Sequence, residues 1–303
     1  MVIPIWKRDK KVCKLIEGIR SLKIQGSHIV AKNCIDILRE IANKRGFESK
    51  EFNEMANFLQ SLRPTQVLTY NLIEYVKQRR DMKAFSNINR FLENCYDEIF
   101  EKALNFLEGN EVILTHCHSS EELYVLKKAY ELGYRFKVFV TETRPKLQGI
   151  KSAKELAKCG IKVKYIVDDA AGFYMDEVDA AIFGIDAITK DGVWNKIGTY
   201  MISLAAKHHA KDVLFIGDIM KIDLREYTYI EMRNPNEIIS KRELNNPNIE
   251  ILNPSFDLTP WHLIDAVITG KGVIKDSSIF EKISYEKLFN ILDGYPINIE
   301  NLS

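Results

Sequence analysis

The segment Thr115-His116-Cys117-His118-Ser119-Ser120 sets a nucleophile between two imidazoles, and helical spacing begins near Glu121. If Ser119 or Ser120 caps that helix, its free amides and positive dipole end face Cys117, where they favour a thiolate or bind an anion. A half-buried structural cysteine is the plain alternative. His116 and His118 share a side only in extended backbone, and zinc would need a further ligand from elsewhere, so no metal is expected here. Asp186 follows Ala181-Ile182-Phe183-Gly184-Ile185, which places a carboxyl just past a strand end. There it can exchange a proton with a substrate oxygen if burial raises its pKa, or orient a hydroxyl if it stays ionised. An Asx-turn or helix cap is the competing reading.

Arg63, in Arg63-Pro64-Thr65, and Arg144, in Thr143-Arg144-Pro145, are suited to phosphoryl groups because each guanidinium makes bidentate, charge-assisted bonds. Either could equally serve a salt bridge. Asn195-Lys196-Ile197-Gly198-Thr199 adds an amide, an ammonium and a helix start, again appropriate to phosphate. Asp168 and Asp169 are expected to order loops or set the electrostatics of the site rather than act as the principal acid, and Asp257 to sit in a restrained turn that lines the crevice or is purely structural.

The elements that must position these groups change character along the chain. From about residue 7 to 106 apolar residues recur at three and four, as in Val12, Leu15, Ile16 and Ile19, predicting roughly five helices. Gly109-Asn110 closes that region. Short apolar runs then alternate with helical periods, at 111–116, 135–140, 161–167, 178–184, 211–217 and 266–269. Buried strands separated by covering helices predict a parallel α/β sheet. The expected architecture is an N-terminal helical domain over 1–108 followed by a Rossmann-like, doubly wound parallel-sheet domain over 109–303. Such a sheet collects ligand groups at the carboxyl ends of its strands.

Composition narrows the function classes. The 303 residues are 46% hydrophobic and 28% charged, with 43 Lys plus Arg against 42 Asp plus Glu. A net charge of +1 gives no global excess to drive nucleic-acid or membrane-surface binding. Five cysteines without repeated spacing argue against a disulfide framework and for a reducing, cytoplasmic setting. No apolar run is long enough for a membrane span. Neither GxGxxG after the first strand nor GxxxxGK[ST] occurs, so dinucleotide and P-loop readings lose their main support.

Taken together, HCHSS, VFVTETRPKLQG, VDDAAGFYMDEVDAAIFGIDAI, DGVWNKIGT and NPSFDLTP form an ordered set. The set resembles the superfamily of the alpha, beta and delta subunits of translation initiation factor 2B, methylthioribose-1-phosphate isomerase and archaeal ribose-1,5-bisphosphate isomerase. The resemblance runs from Ser21 to Gly272. Its enzymes carry a cysteine in a THC motif and an aspartate in a G-A-D motif, matched here by Cys117 and Asp186, and regulatory subunits commonly lack the pair. The short N-terminal region, with SLKIQG and LRPT, looks more like the ribose-bisphosphate enzyme.

The resemblance implies an aldose–ketose isomerase that converts alpha-D-ribose 1,5-bisphosphate to D-ribulose 1,5-bisphosphate in nucleoside monophosphate degradation, without a metal or cofactor. It implies catalytic roles for Cys117 and Asp186, and substrate binding by Gln25, Gly26, Arg63, Arg144, Asn195 and Lys196. Cys117, as a thiolate, would move the proton between carbons 2 and 1, and Asp186 would handle ring opening and oxygen protons. A homo-oligomer is implied too, a hexamer built from dimers. The chain departs from the family pattern at Gln25, His118, Asp169, Ile185 and Gly270. Two other functions fit the superfamily: a non-catalytic regulatory subunit that binds a sugar phosphate or nucleotide, and a methylthioribose-1-phosphate or other phosphosugar isomerase.

Overall fold

The structure, a computed structural model, describes residues 10–21, 23–24, 26–225, 231–240, 243–244, 246–297 and 299. Gln25 lies outside the described residues. The chain forms two compact units. One takes in the described residues of Met1–Cys95 with Met220–Ile222 and Ser284–Ile297; the other takes in Tyr96–Ile219, Asp223–Ile283 and the described part of Asn298–Ser303.

The first unit is helical: α1 (Lys10–Arg20), α2 (Ser27–Arg45), α3 (Lys50–Leu62), α4 (Val67–Arg79), the start of α5 (Met82–Leu107) and the last helix, α10 (Tyr285–Asp293). The three-and-four spacing becomes a buried face, such as Phe52, Met55, Ala56 and Leu59 on α3, whereas α4 is buried around most of its circumference. Ser49 caps α3 by accepting the Phe52 amide at 3.2 Å. The units part within α5, after Cys95, whereas Gly109-Asn110 marks the end of that helix. The returning segments are held by polar ties. Buried Asn71 donates to the carbonyls of Met220 and Ile222, both at 2.8 Å. Tyr75 Oη donates to Asp293 Oδ1 at 2.5 Å, and Arg79 Nε donates to Asp293 Oδ2 at 2.9 Å.

The second unit is built on β1 (Val112–Thr115), β2 (Lys137–Thr141), β3 (Lys162–Ile166), β4 (Ala180–Phe183), β7 (Asp212–Ile216), β9 (Ala266–Thr269) and β10 (Gly272–Ile274). Their order across the sheet is β10-β9-β7-β4-β1-β2-β3, parallel throughout except for β10, which pairs antiparallel with β9. The order therefore reverses between β1 and β4, and that switch point is where a doubly wound sheet opens a crevice. Helices α6 (Ser120–Glu131), α7 (Gly149–Lys158) and α8 (Thr199–His208), with the short α9 (Ile279–Lys282), complete the unit. Ile113, Val138, Ile182, Leu214 and Ile268 from the strands pack with Leu123, Leu126 and Leu156 from α6 and α7.

Three features differ from the sequence expectation. β3 is not a buried strand: it is the sheet edge, with Lys162 and Tyr165 exposed and its lysines alternating outward. The Asn195-Lys196 segment is a strand rather than a loop. It belongs to β6 (Gly192–Lys196), which lies between β5 (Ala187–Thr189) and β8 (Phe256–Pro260) in a separate antiparallel sheet. Asp257, expected in a turn, sits on β8.

Candidate active site

Cys117 leaves β1 and Asp186 leaves β4, the two strands that flank the switch point. The close packing of those two exits explains Gly184. A Cβ there would lie 2.3 Å from Ser119 Cβ and 2.5 Å from its Oγ. Ser119 also caps α6, its hydroxyl accepting the Glu122 amide at 3.4 Å, so the helix starts one residue before the expected Glu121.

The backbone at Cys117 is in the left-handed region, φ 80°, and Thr143 beside it has φ 60°. Non-glycine residues hold such angles only where surrounding bonds over-determine them, at a cost of about 1–3 kcal/mol each. Those bonds are present. The Cys117 amide donates to Thr143 Oγ1 at 2.8 Å, and Ser152 Oγ donates to the Cys117 carbonyl at 2.7 Å. The amides of Thr143 and Arg144 donate to the two carboxylate oxygens of Asp168, each at 2.7 Å. Asp168 is thus the loop-ordering residue anticipated for it.

His116 is the wall beneath the site. Its Nε2–H donates to the Ile197 carbonyl at 2.8 Å, which leaves Nδ1 to accept from Thr141 Oγ1 at 2.6 Å. Burial pushes its pKa down despite the nearby Asp168, so the ring is neutral. Both nitrogens are taken. His118 turns the other way, with Nδ1 3.1 Å from Ser152 Oγ and Nε2 3.6 Å from Glu155. The two imidazoles have separate partners and do not converge.

The thiol state corrects the helix-dipole argument. Burial pushes the Cys117 pKa up to about 11; Lys196 and the His118 amide pull it down, while Asp186 and Glu122 push it further up. Cys117 is therefore a neutral thiol at pH 7, its Sγ 3.8 Å from Gln148 Oε1. Glu122 is a group that composition and spacing did not single out. Buried in the first turn of α6, it accepts from Thr115 Oγ1, and burial, reinforced by Glu121, moves its pKa up to about 8. Its place in Ser119-x-x-Glu122 is a capping-box signal, but the side chain turns inward instead of back to the cap.

Asp186 and Lys196 are thus both within electrostatic reach of Cys117. Asn195 is buried and donates to Thr199 Oγ1 at 3.2 Å. Lys196 Nζ lies 5.1 Å from the Phe256 ring centroid. Arg144 is exposed and donates from Nη2 to the Ile238 carbonyl at 2.9 Å. Gly26 and Arg63 lie on the helical unit, at the N-terminal boundary of α2 and the C-terminal boundary of α3. Asp218, buried just beyond β7, is a carboxyl at the same sheet end that was not anticipated; its place after the KDVLFIG run was the available signal.

A doubly wound sheet with a cysteine and an aspartate on either side of its switch point holds groups of the kind that acid–base or nucleophilic chemistry on a small molecule uses. The chain belongs to the initiation factor 2 subunit family, whose model matches residues 23–276. It is 39% identical over 293 residues to the ribose 1,5-bisphosphate isomerase of Pyrococcus furiosus, covering 88% of this chain and 90% of that protein. It is 35% identical to the ribose 1,5-bisphosphate isomerase of Methanocaldococcus jannaschii, covering 91% and 95%. Among solved structures it is similar to the translation initiation factor eIF-2B of Pyrococcus horikoshii, with TM-score 0.77, 28% identity and coverage of 88% and 98%.

Proposed function

We propose that this chain is an aldose–ketose isomerase converting alpha-D-ribose 1,5-bisphosphate to D-ribulose 1,5-bisphosphate. The observation that carries the reading is the Cys117–Asp186 pair on opposite sides of the switch point, each at a strand exit locked by its own loop. Relatives at 35% and 39% identity over most of their length bear the name of that activity.

The chemistry needs one acid and one base that exchange roles. Protonated Asp186 donates to the ring oxygen as its bond to carbon 1 breaks; the thiolate of Cys117 takes the proton from carbon 2, leaving an enol phosphate. Cys117 then returns that proton to carbon 1, while Asp186 takes the hydroxyl proton at oxygen 2, and the ketose forms with no net proton change. A neutral thiol at rest suits this scheme. The charge of Asp186 helps to hold the thiol proton, so moving that proton to Asp186 removes one barrier to thiolate and makes the acid and the base together.

The substrate-binding set of Gly26, Arg63, Arg144, Asn195 and Lys196 belongs to the same proposal, as do nucleoside monophosphate degradation, a cytoplasmic setting and a hexamer built from dimers. Exposed Phe173, Met201 and Leu204 on the α/β unit are apolar surface of the kind that self-association covers. No helix among the described residues is long and apolar enough to cross a membrane. The test is turnover by Cys117→Ser and Asp186→Asn. Each should lose activity by about 10² or more, as expected for removal of a general acid or base, while thermal unfolding stays near wild type. Wild-type rates in both would overturn the assignment.

A further inference from the structure

β8 lies beside β6 in a register that sets Asp257 opposite Asn195 and Phe256 opposite Lys196. Three successive residues of this edge grip the segment after β6. The Ser255 carbonyl accepts the Ile197 amide at 3.0 Å, the Phe256 ring seats the Lys196 ammonium, and Asp257 takes the first amides of α8. Asp257 Oδ2 accepts from Gly198 N–H at 2.7 Å and Oδ1 from Tyr200 N–H at 3.3 Å. On its other side the turn is pressed against His116. Gly198 has φ 103°, and a Cβ there would lie 3.2 Å from His116 Nε2. The helix start that suited a phosphate from sequence is therefore occupied by the protein's own carboxylate. Lys196, seated on the Phe256 ring of β8, is the cation beside that turn.

We propose that Asp257 is a positioning residue for the phosphosugar: it holds Asn195, Lys196 and the turn to Tyr200 in place through the first amides of α8, and it loosens that hold on taking up a proton. The inference rests on the isomerase reading above for the identity of the ligand. Among the described residues, the charged group acting on Asp257 is Lys196, which favours its ionised form, and across Gly198 lies the neutral His116. Burial nonetheless moves the Asp257 pKa up to about 6, so the loosening falls at mildly acid pH. A protonated carboxyl keeps one good acceptor, and its attraction for Lys196 is gone.

The test compares wild type, Asp257→Asn and Asp257→Glu as full chains from pH 5 to 8. Hydrogen exchange at the Gly198 and Tyr200 amides, normalised to intrinsic rates, reads the hold on the turn without any substrate. Protection in wild type should fall between pH 7 and pH 5, and it should be low at both pH values in Asp257→Asn. With ribose 1,5-bisphosphate, loss of a charge-assisted bond should raise KM about 10-fold while kcat changes by less than about 3-fold. The part of the KM rise below pH 6 that exceeds protonation of the substrate's own phosphates, whose second pKa is about 6, should disappear in Asp257→Asn and return in Asp257→Glu. Wild-type protection that ignores pH, or a fall in kcat as large as that in kcat/KM, would overturn the proposal. Expected exchange behaviour in a wild type without turnover would sink the isomerase reading while supporting the hold of Asp257 on the turn.

Discussion

Replacing Gly184 with alanine drives a methyl group into Ser119. The added Cβ would stand 2.3 Å from Ser119 Cβ and 2.5 Å from Ser119 Oγ, and ordinary contact begins at 3.4 Å. The exit of β4 and the cap of α6 must then separate by about 1 Å, a distortion of the overpacking kind that costs about 1–3 kcal/mol. Cys117 lies two residues before Ser119 and Asp186 two residues after Gly184, so the displacement passes straight into the pair. A misplacement of about 1 Å lowers turnover by about 10². Thermal unfolding and steady-state turnover of Gly184→Ala measure both effects. The double variant Ser119→Gly with Gly184→Ala removes the obstructing atoms, and glycine caps a helix for only a few tenths of a kcal/mol less than serine. It should recover most of the stability and activity. Wild-type behaviour in Gly184→Ala, or a double variant no better than the single, would refute the reasoning.

Alkylation of Cys117 by iodoacetamide, read by peptide mass spectrometry, should be slow at pH 7 and climb about tenfold per pH unit toward 11, because only the thiolate reacts; a plateau by pH 8 would contradict the burial argument. Glu122 gives a stability signature. Its folded-state pKa of about 8 stands above the ordinary 4.5, so between those values the unfolded chain loses a proton that the folded chain keeps. Wild-type stability should therefore fall as pH rises from 4.5 through 8, and Glu122→Gln should flatten that decline in denaturant titrations across pH 5 to 9.

Most of the α/β frame was legible because strands buried on both faces read as continuous apolar runs: VILT, KVFVT, AAIF and DVLFI all fall where expected. The positions of Cys117 and Asp186 at strand exits followed from the same runs. The small sheet was not legible. The pairing of β5, β6 and β8 depends on an approach so close that a Cβ on Gly192 would lie 2.1 Å from the Thr259 carbonyl oxygen. β3 misled because an edge strand and a buried one share β-branched residues; the alternating lysines of Lys162-Val163-Lys164 were the distinguishing sign. The return of α10 to the helical unit depends on Tyr75, Arg79 and Asp293, partners more than two hundred residues apart. The thiol state of Cys117 was misjudged for a related reason. The helix start is local and favours thiolate, whereas the burial and the Asp186 and Glu122 charges that outweigh it come from the assembled fold.

The most direct test is phosphorus and proton NMR of the purified protein with alpha-ribose 1,5-bisphosphate, with ribose 5-phosphate and methylthioribose 1-phosphate in separate tubes. The expected result is stoichiometric ribulose 1,5-bisphosphate from the first compound alone. Folded protein that binds the bisphosphate and leaves it unchanged, or that converts methylthioribose 1-phosphate instead, would contradict the account.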